Sequence, residues 1–404
     1  MGNIVRGVPG QYEIRIELGG HSIQPTPSMV NNLSVVSSID KLLPSISMSL
    51  NDEAGILTHI RPADSQSNAI ALSIGSPPVT WNFEIFRRFP TSANSNQAVW
   101  EVEGFIKVQG LFSPTRQRSF MTGSSPKTVK NIIEQIASEI GCSSEVDPEL
   151  DYVIPNILQP NWSNAQFLFY LKTMLKGKAG GAGYYCFIRP EETGPKLVFK
   201  SLSQMLNEQY VRDFIYDDQP KMGSYPMYNL DVIDNYALLR SLGTRQFSYG
   251  YFDYFTGRYT KIVKDVSSVD MPSLSEFILV NKDDPKEDLS LQRIGRKTEF
   301  TDFSGLGVGK YYKRLNSLVQ SWFDIGGDKN LFPGMIVKIF FPQSTAGKTP
   351  FSYQYGGFWM IERVNHTWVD MFRTRLLLTR CGIDTELSSN LLRPKSIYLR
   401  GRTT

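Results

Sequence analysis

The stretch Gly357–Arg380, GFWMIERVNHTWVDMFRTRLLLTR, constrains this chain most, because its side chains alternate with a period of two. Phe372, Thr374, Leu376 and Leu378 share one parity and Arg373 and Arg375 the other, the pattern of a strand with one buried face. Phe358–Trp368 reads as its partner. A polar turn at Val369 and Asp370 lets the two pair as an antiparallel hairpin, and a third run, Met335–Phe341, follows Pro333-Gly334. The reading is a hairpin that closes a barrel, with no catalytic constellation on it.

A length of 404 residues exceeds one ordinary core and predicts two to four domains. Lys plus Arg exceed Asp plus Glu by four, 43 against 39, and are spread along the chain. That balance gives no electrostatic footprint for sequence-specific nucleic-acid binding or membrane adhesion. The three cysteines, Cys142, Cys186 and Cys381, are far apart and odd in number, which predicts free thiols rather than a disulfide framework. No apolar segment approaches the ~20 residues of a membrane span, and the first twenty residues lack the apolar stretch of a secretory signal, so synthesis in the cytoplasm without a membrane anchor is expected. The sequons at Asn32, Asn161 and Asn365 are then background.

From Tyr12 to about Gly110 the pattern is strand and turn. Trp100, Val102, Ile106 and Val108 take one face, Glu101, Glu103, Lys107 and Gln109 the other, and Pro90–Gln97 reads as a hairpin loop. Between Pro126 and Ile140 the period becomes helical, with Val129, Ile132, Ile133, Ile136 and Ile140 in a stripe, Pro126 suiting the first turn and Gly141 the stop. A second helix starts at Ser163, which has capping-box spacing to Gln166, and Gly177 suits its end. Strands at Tyr184–Ile188 and Lys196–Lys200 complete a small α+β unit. Strand patterning resumes at Asn235–Leu239 and Phe247–Tyr254, is broken by a polar region, Val266–Lys297, and returns at Leu315–Phe323.

No candidate for chemistry stands out. Gly347-Lys348-Thr349 is not a phosphate loop, since Pro342 holds the place of its first glycine and Pro350 blocks the following helix. Gly305, Gly307 and Gly309 lack the third-glycine spacing of a dinucleotide fingerprint and read as a flexible turn. His21, His59 and His366 show no metal-ligand spacing, and His366 reads as a structural strand residue. Glu101 and Glu103 share a strand face, an arrangement that in principle suits paired-carboxylate glycosidase work, but a solvated face explains them better. Asp217-Asp218 and Asp283-Asp284 lie in charged turns. The aromatics Tyr249, Tyr251, Phe252, Tyr254, Phe255 and Tyr259 suit core or subunit packing better than a stacking platform for sugars or bases. Catalytic, cofactor-binding and metal residues are therefore none, and no cofactor is expected.

In this order, the early strand block, the helix TVKNIIEQIASEIG, the helix start NWSNAQFLFYL, the YYCFI and KLVFK strands and the closing hairpin resemble the baseplate hub proteins of contractile-tailed bacteriophages. The same arrangement is seen in the hub part of type VI secretion spikes. The resemblance implies an α+β, mainly β fold: two antiparallel β-barrel domains, a small α+β domain between them and an insertion in the second barrel. It divides the chain into a first barrel at 1–110, a peripheral α+β domain at 111–205, a second barrel at 206–245 and 317–382, an insertion at 246–316 and a tail at 383–404. It implies a homotrimer whose six barrels form a pseudo-six-fold ring, joining a hexameric tail-tube ring to a trimeric central spike. Wedge or peripheral baseplate proteins would be further partners, and DNA would pass through the channel without tight binding. The alternatives are a tail-associated cell-wall hydrolase and a carbohydrate-binding tail protein.

Overall fold

The computed structural model describes residues 12–52, 68–94, 97–113, 117–216, 225–234, 246–253, 256–265, 288–294, 304–340, 355–368 and 371–383, less the pairs 76–77, 123–124, 155–156 and 179–180, with short pieces elsewhere. A single 13-stranded sheet organises it. Its strands are β1 (Tyr12–Leu18), β2 (His21–Ile23), β3 (Val30–Ser38), β4 (Ser45–Asp52), β5 (Ala69–Ile74), β6 (Val79–Asn94) and β7 (Gln97–Ile106) in the first half. The second half contributes β8 (Tyr210–Ile215), β9 (Tyr225–Asp234), β10 (Val319–Gly326), β11 (Ile336–Phe340), β12 (Gly357–Trp368) and β13 (Phe372–Arg380). The order is β2-β1-β5-β6-β7-β4-β3-β12-β11-β8-β9-β10-β13, and β13 pairs back onto β12. The last six strands therefore close a barrel, and the β12–β13 hairpin is the closing pair.

The seven strands of the first half are antiparallel throughout and send Ile14, Ile16, Val35, Met48, Leu72, Trp81, Phe83 and Val102 into one core. Among the described residues no ladder links β2 to β3. Ring contact spans that side instead, with Tyr12 of β1 lying 6.3 Å from Trp368 of β12. In the second barrel β8 departs from the antiparallel expectation, since it runs parallel to both β9 and β11. Parallel neighbours need long crossovers, and β8 is entered from the α+β unit rather than from a hairpin.

Strand β6 continues through Pro90 rather than ending there, so the expected hairpin loop at Pro90–Gln97 is mostly strand. Its register slips between Ile85 and Arg87 and again between Pro90 and Ser92. A bulge tolerates proline because the residue there need not donate to the ladder.

Helix α1 (Val129–Glu139) starts three residues after the proline expected in its first turn. Thr128 is the N-cap and accepts from the Asn131 N–H, while Pro126 sits in a short bridge before it. Gly141 ends the helix region at φ +72°, where a side chain would be strained. Helix α2 (Asn164–Met174) has the expected capping box between Ser163 and Gln166, but it stops at Met174, before Gly177. The strands Ser143–Val146, Gly194–Lys200 and Tyr185–Glu191 form a three-stranded sheet beside these helices and the short α3 (Leu202–Leu206). This sheet is buried on both faces. Cys186, Ile188, Leu197 and Phe199 belong to the core of the first half, while Tyr185, Phe187 and Val198 belong to that of the second.

Two expectations in the second half need correction. Gly305, Gly307 and Gly309 lie in helix α4 (Ser304–Asn316), not in a flexible turn, and Leu315 is in its last turn, so strand structure resumes only at Val319. Tertiary packing overrides glycine's poor helix propensity here, because Gly309 lies against the backbone of Gly183. Strands Gln246–Asp253, Arg258–Asp265 and Asp288–Ile294 form a separate three-stranded sheet. Asn235–Leu239 lies outside the described residues.

Candidate functional site: the seam and the outer walls

Most residues weighed for chemistry are dispersed. Glu101 and Glu103 lie on β7, where Glu101 is opposite Ser49 and Phe89, and Glu103 is opposite Ser47 and Arg87. Glu103 pairs with Arg87 at 3.9 Å, which fits a solvated strand face. His21 is exposed on β2, far in sequence and sheet order from His366, and His59 lies outside the described residues. So do Gly347-Lys348-Thr349, Asp217-Asp218 and Asp283-Asp284. Of the aromatic run, Phe252 and Tyr259 are exposed partners across the small sheet, so of the core or subunit packing that the sequence suggested, these two are not core. Tyr254 and Phe255 lie outside the described residues.

His366 is buried on β12, beside the rings of Trp81 at 5.7 Å, Phe372 at 5.6 Å and Trp368 at 6.1 Å. Its Nδ1 is hydrogen-bonded to Thr374 Oγ1 at 3.0 Å, and the same hydroxyl accepts from the Asp328 N–H. Burial lowers the imidazole pKa to about 3, so the ring is neutral and structural. The three cysteines are buried and form no disulfide. Burial pushes the Cys142 thiol up to about 11 and the Cys186 thiol up to about 12, which removes both as nucleophiles at neutral pH. Among the described residues no three His, Cys, Asp or Glu side chains gather as metal ligands, and no helix is long and apolar enough to cross a membrane.

What the structure does bring together is a seam. Strand β3 pairs antiparallel with β12 from Leu33↔Trp368 to Ser38↔Arg363, fusing the two halves through backbone hydrogen bonds. β12 serves both cores: Trp359, Ile361 and Val364 fill the second, and Trp368 fills the first. At the far end of the barrel the buried Arg380 donates to the Gly356 carbonyl at 2.7 Å, with its guanidinium carbon 4.2 Å from the Trp359 ring centroid.

The walls furthest from the seam carry outward aromatics. Counting from β3, the third strand is β6, and counting from β12 in either direction round the barrel, the third is β9. On β6, Phe86 is the extra residue of the bulge between Ile85 and Arg87. It is 54% exposed and stacks on Phe105 of β7 at 4.5 Å. On β9 a register shift between Tyr228 and Asp231 includes Asn229 at φ 52°, and Tyr228 and Ile233 are both 39% exposed. Bulges commonly re-aim a side chain in this way. The sequence reading missed these residues because a bulge has no local signature in a strand pattern.

No protein-family model matches the chain, and no curated protein matches it. Solved structures do. The tail protein from Neisseria meningitidis MC58 aligns at TM-score 0.54 and 10% identity, over 92% of this chain and 98% of that one. The prophage MuSo2 43 kDa tail protein from Shewanella oneidensis aligns at TM-score 0.55 and 11% identity, again over 92% and 98%. The fold is that of these tail proteins. At such identities it is the architecture that is shared, and this tail-protein fold here includes the β3–β12 seam, the closed barrel and the α+β unit between the cores.

Proposed function

We propose that the chain is a structural hub of a phage tail baseplate: a homotrimer whose pseudo-six-fold ring joins the tail-tube ring to a trimeric central spike and encloses the DNA channel. The observation that carries this reading is the tail-protein fold, matched over nearly the whole of both chains. In the proposal the domains are 1–110 and 206–245 with 317–382 as the two barrels, 111–205 and 246–316 as peripheral domains, and 383–404 as a tail. Synthesis is in the host cytoplasm and the final location is the virion tail. Wedge or peripheral proteins dock around the ring, the chain has no enzymatic role, and no cofactor is used.

The outer walls support the trimer. If the seam supplies one barrel-to-barrel contact within a protomer, a ring of three needs a second between protomers, on the sides facing away from the seam. Those sides are the β6 wall with Phe86 and Phe105 and the β9 wall with Tyr228 and Ile233, and a heterologous contact between them closes a ring. A formal charge of +4 suits a conduit, because each neutralised phosphate would add affinity and retain the polyanion.

Mass in solution combined with a symmetry-averaged electron micrograph tests the reading. A trimer with six lobes around a hole is expected, and Phe105→Glu or Tyr228→Glu should dissociate it. A monomer at the concentrations of assembly, or peptidoglycan turnover that Glu101→Gln abolishes, would replace it with another function.

A further inference from the structure

Helix α2 departs from the pattern that α1 obeys. On α1, Ile132, Ile133 and Ile136 are buried while Asn131, Ser138 and Glu139 are exposed, so one face is apolar and the other polar. On α2, Phe167, Leu168 and Leu171 are buried, yet the opposite side also carries rings. Phe169 is 63% exposed, and Tyr170 is half-buried in a T-shaped contact with Trp162 at 5.4 Å. Phe112, 64% exposed, follows Leu111, whose carbonyl accepts from the Ala165 N–H, one turn before Phe169. A helix that is apolar all round is ordinarily buried all round, and here the outer rings are open to solvent.

The charge around these rings is of one sign. Lys172 holds its ammonium 5.4 Å from the Phe169 ring centroid, and Lys176 follows just past the helix end. The two stretches that build this face contain no carboxylate, since none occurs between Glu103 and Glu134 or between Asp151 and Glu191. Carboxylates of the α+β unit are engaged elsewhere: Glu139 with Arg118, Glu145 with Lys200 and Arg189, Glu191 with Lys196, and Glu149 with the Gly181 N–H.

We propose that the outer face of α2, with Phe112, Trp162 and Phe169 as anchors and Lys172 and Lys176 at its rim, docks an acidic amphipathic segment of a different protein. Aromatic anchors inside a cationic rim are matched by apolar side chains flanked by carboxylates. A second copy of this chain is a poor occupant. An isologous pair of these faces would set the lysines against like charges, and a three-fold ring has no two-fold axis to bring them together. Nucleic acid is the weaker match, because the rings stand on the outside of a helix rather than in a basic groove that tracks a phosphate backbone. The inference rests on the hub reading for the kind of partner, a peripheral baseplate protein; the surface itself does not depend on the ring.

A random peptide library displayed on yeast, selected on the full chain and depleted on a Phe112→Ser, Phe169→Ser variant, tests the face. Peptides kept by the first and not by the second should carry more Asp and Glu than Lys and Arg, and should include Leu, Phe or Trp. One such peptide, followed by fluorescence anisotropy, should lose at least about tenfold in affinity with Phe169→Ser, and again with Lys172→Glu and Lys176→Glu together. Circular dichroism and the mass of the assembly should be unchanged. Where the double serine variant fails to fold, the lysine variant serves for the depletion. The inference is overturned by a selection that yields no discriminating peptide or only peptides without acidic excess. It is equally overturned by an oligonucleotide that binds wild type and is lost in the same variants, or by a change of assembly mass, which would make the face a contact between copies. The two readings fail separately: a monomeric wild type removes the ring, whereas the peptide result depends on α2 alone.

Discussion

Val35 of β3 lies opposite His366 of β12, in the middle of the ladder that joins the two halves of the chain. A charged imidazole at this position would face Trp81, Trp368 and Phe372 with no carboxylate partner, so acid should act on the seam first. His366 has a folded pKa of about 3 against an ordinary value of ~6.5. A depressed histidine binds fewer protons folded than unfolded, so its contribution is complete above about 6.5 and declines as pH falls toward 3, with a limiting slope of ~1.4 kcal/mol per pH unit. Glu362, a carboxyl whose pKa is raised to about 7, contributes with the opposite sign over the same range, so urea midpoints from pH 7 to pH 4 should show this slope in a Glu362→Gln background, and adding His366→Phe, which cannot titrate, should flatten it.

Trp368 tests whether the seam makes one folding unit of the two halves. Its ring stacks on Phe372 at 4.7 Å with planes 1° apart, and both belong to the first-half core although they lie on the closing hairpin. Trp368→Ala should cost ~3–5 kcal/mol, as truncations of buried aromatics do. Circular dichroism in urea should show a lower midpoint. A first half that melts while the barrel hairpin survives would mean that the seam couples the halves weakly.

The closing hairpin was legible because its burial alternates: Phe372 and Thr374 are buried while Arg373 and Arg375 are exposed. Alternation then ceases, and Leu376–Arg380 is buried throughout, because α4 and the loop at Gly356 cover the outer side of that end. The capping box at Ser163 was legible for the same local reason. The β3–β12 pairing was not, since a ladder between residues so far apart in sequence leaves no mark on either strand's pattern. Helix α4 was hidden by its glycines, whose role is a close approach to Gly183 that only tertiary structure reveals. Phe86 and Tyr228 read as ordinary strand residues until the bulges show them turned outward.

Glu362 gives a second pH test, of opposite sign. Burial, with the charge of Asp40 beside it, raises its carboxyl pKa to about 7 against the pull of Arg363. A carboxyl raised in the fold contributes most below its ordinary value of ~4.3 and loses that contribution as pH rises through 7. Glu362→Gln, neutral at every pH, should match wild type near pH 4 and exceed its stability at pH 8 by at least about 1 kcal/mol, after allowing for the side chain's partial exposure. Chemical denaturation at the two pH values checks both halves of the statement.

Gly309 sets two opposed effects against each other. An alanine in a helix interior is favoured over glycine by ~1 kcal/mol, so Gly309→Ala would stabilise α4 in isolation. In the fold, a Cβ at this position would lie 2.6 Å from Gly183 N and 2.8 Å from Gly183 Cα. Both atoms are backbone, and Gly183 itself holds φ +75°, so neither side of the contact can yield without moving α4 or the strand that Gly183 leads into. Overpacking of this kind costs ~1–3 kcal/mol, which outweighs the propensity gain because relief requires separating α4 from the α+β unit. Gly309→Ala should therefore lower the denaturation midpoint. Gly326→Ala serves as the control, since a Cβ there meets nothing within 4 Å. A Gly309→Ala variant as stable as wild type would show that α4 does not sit against Gly183.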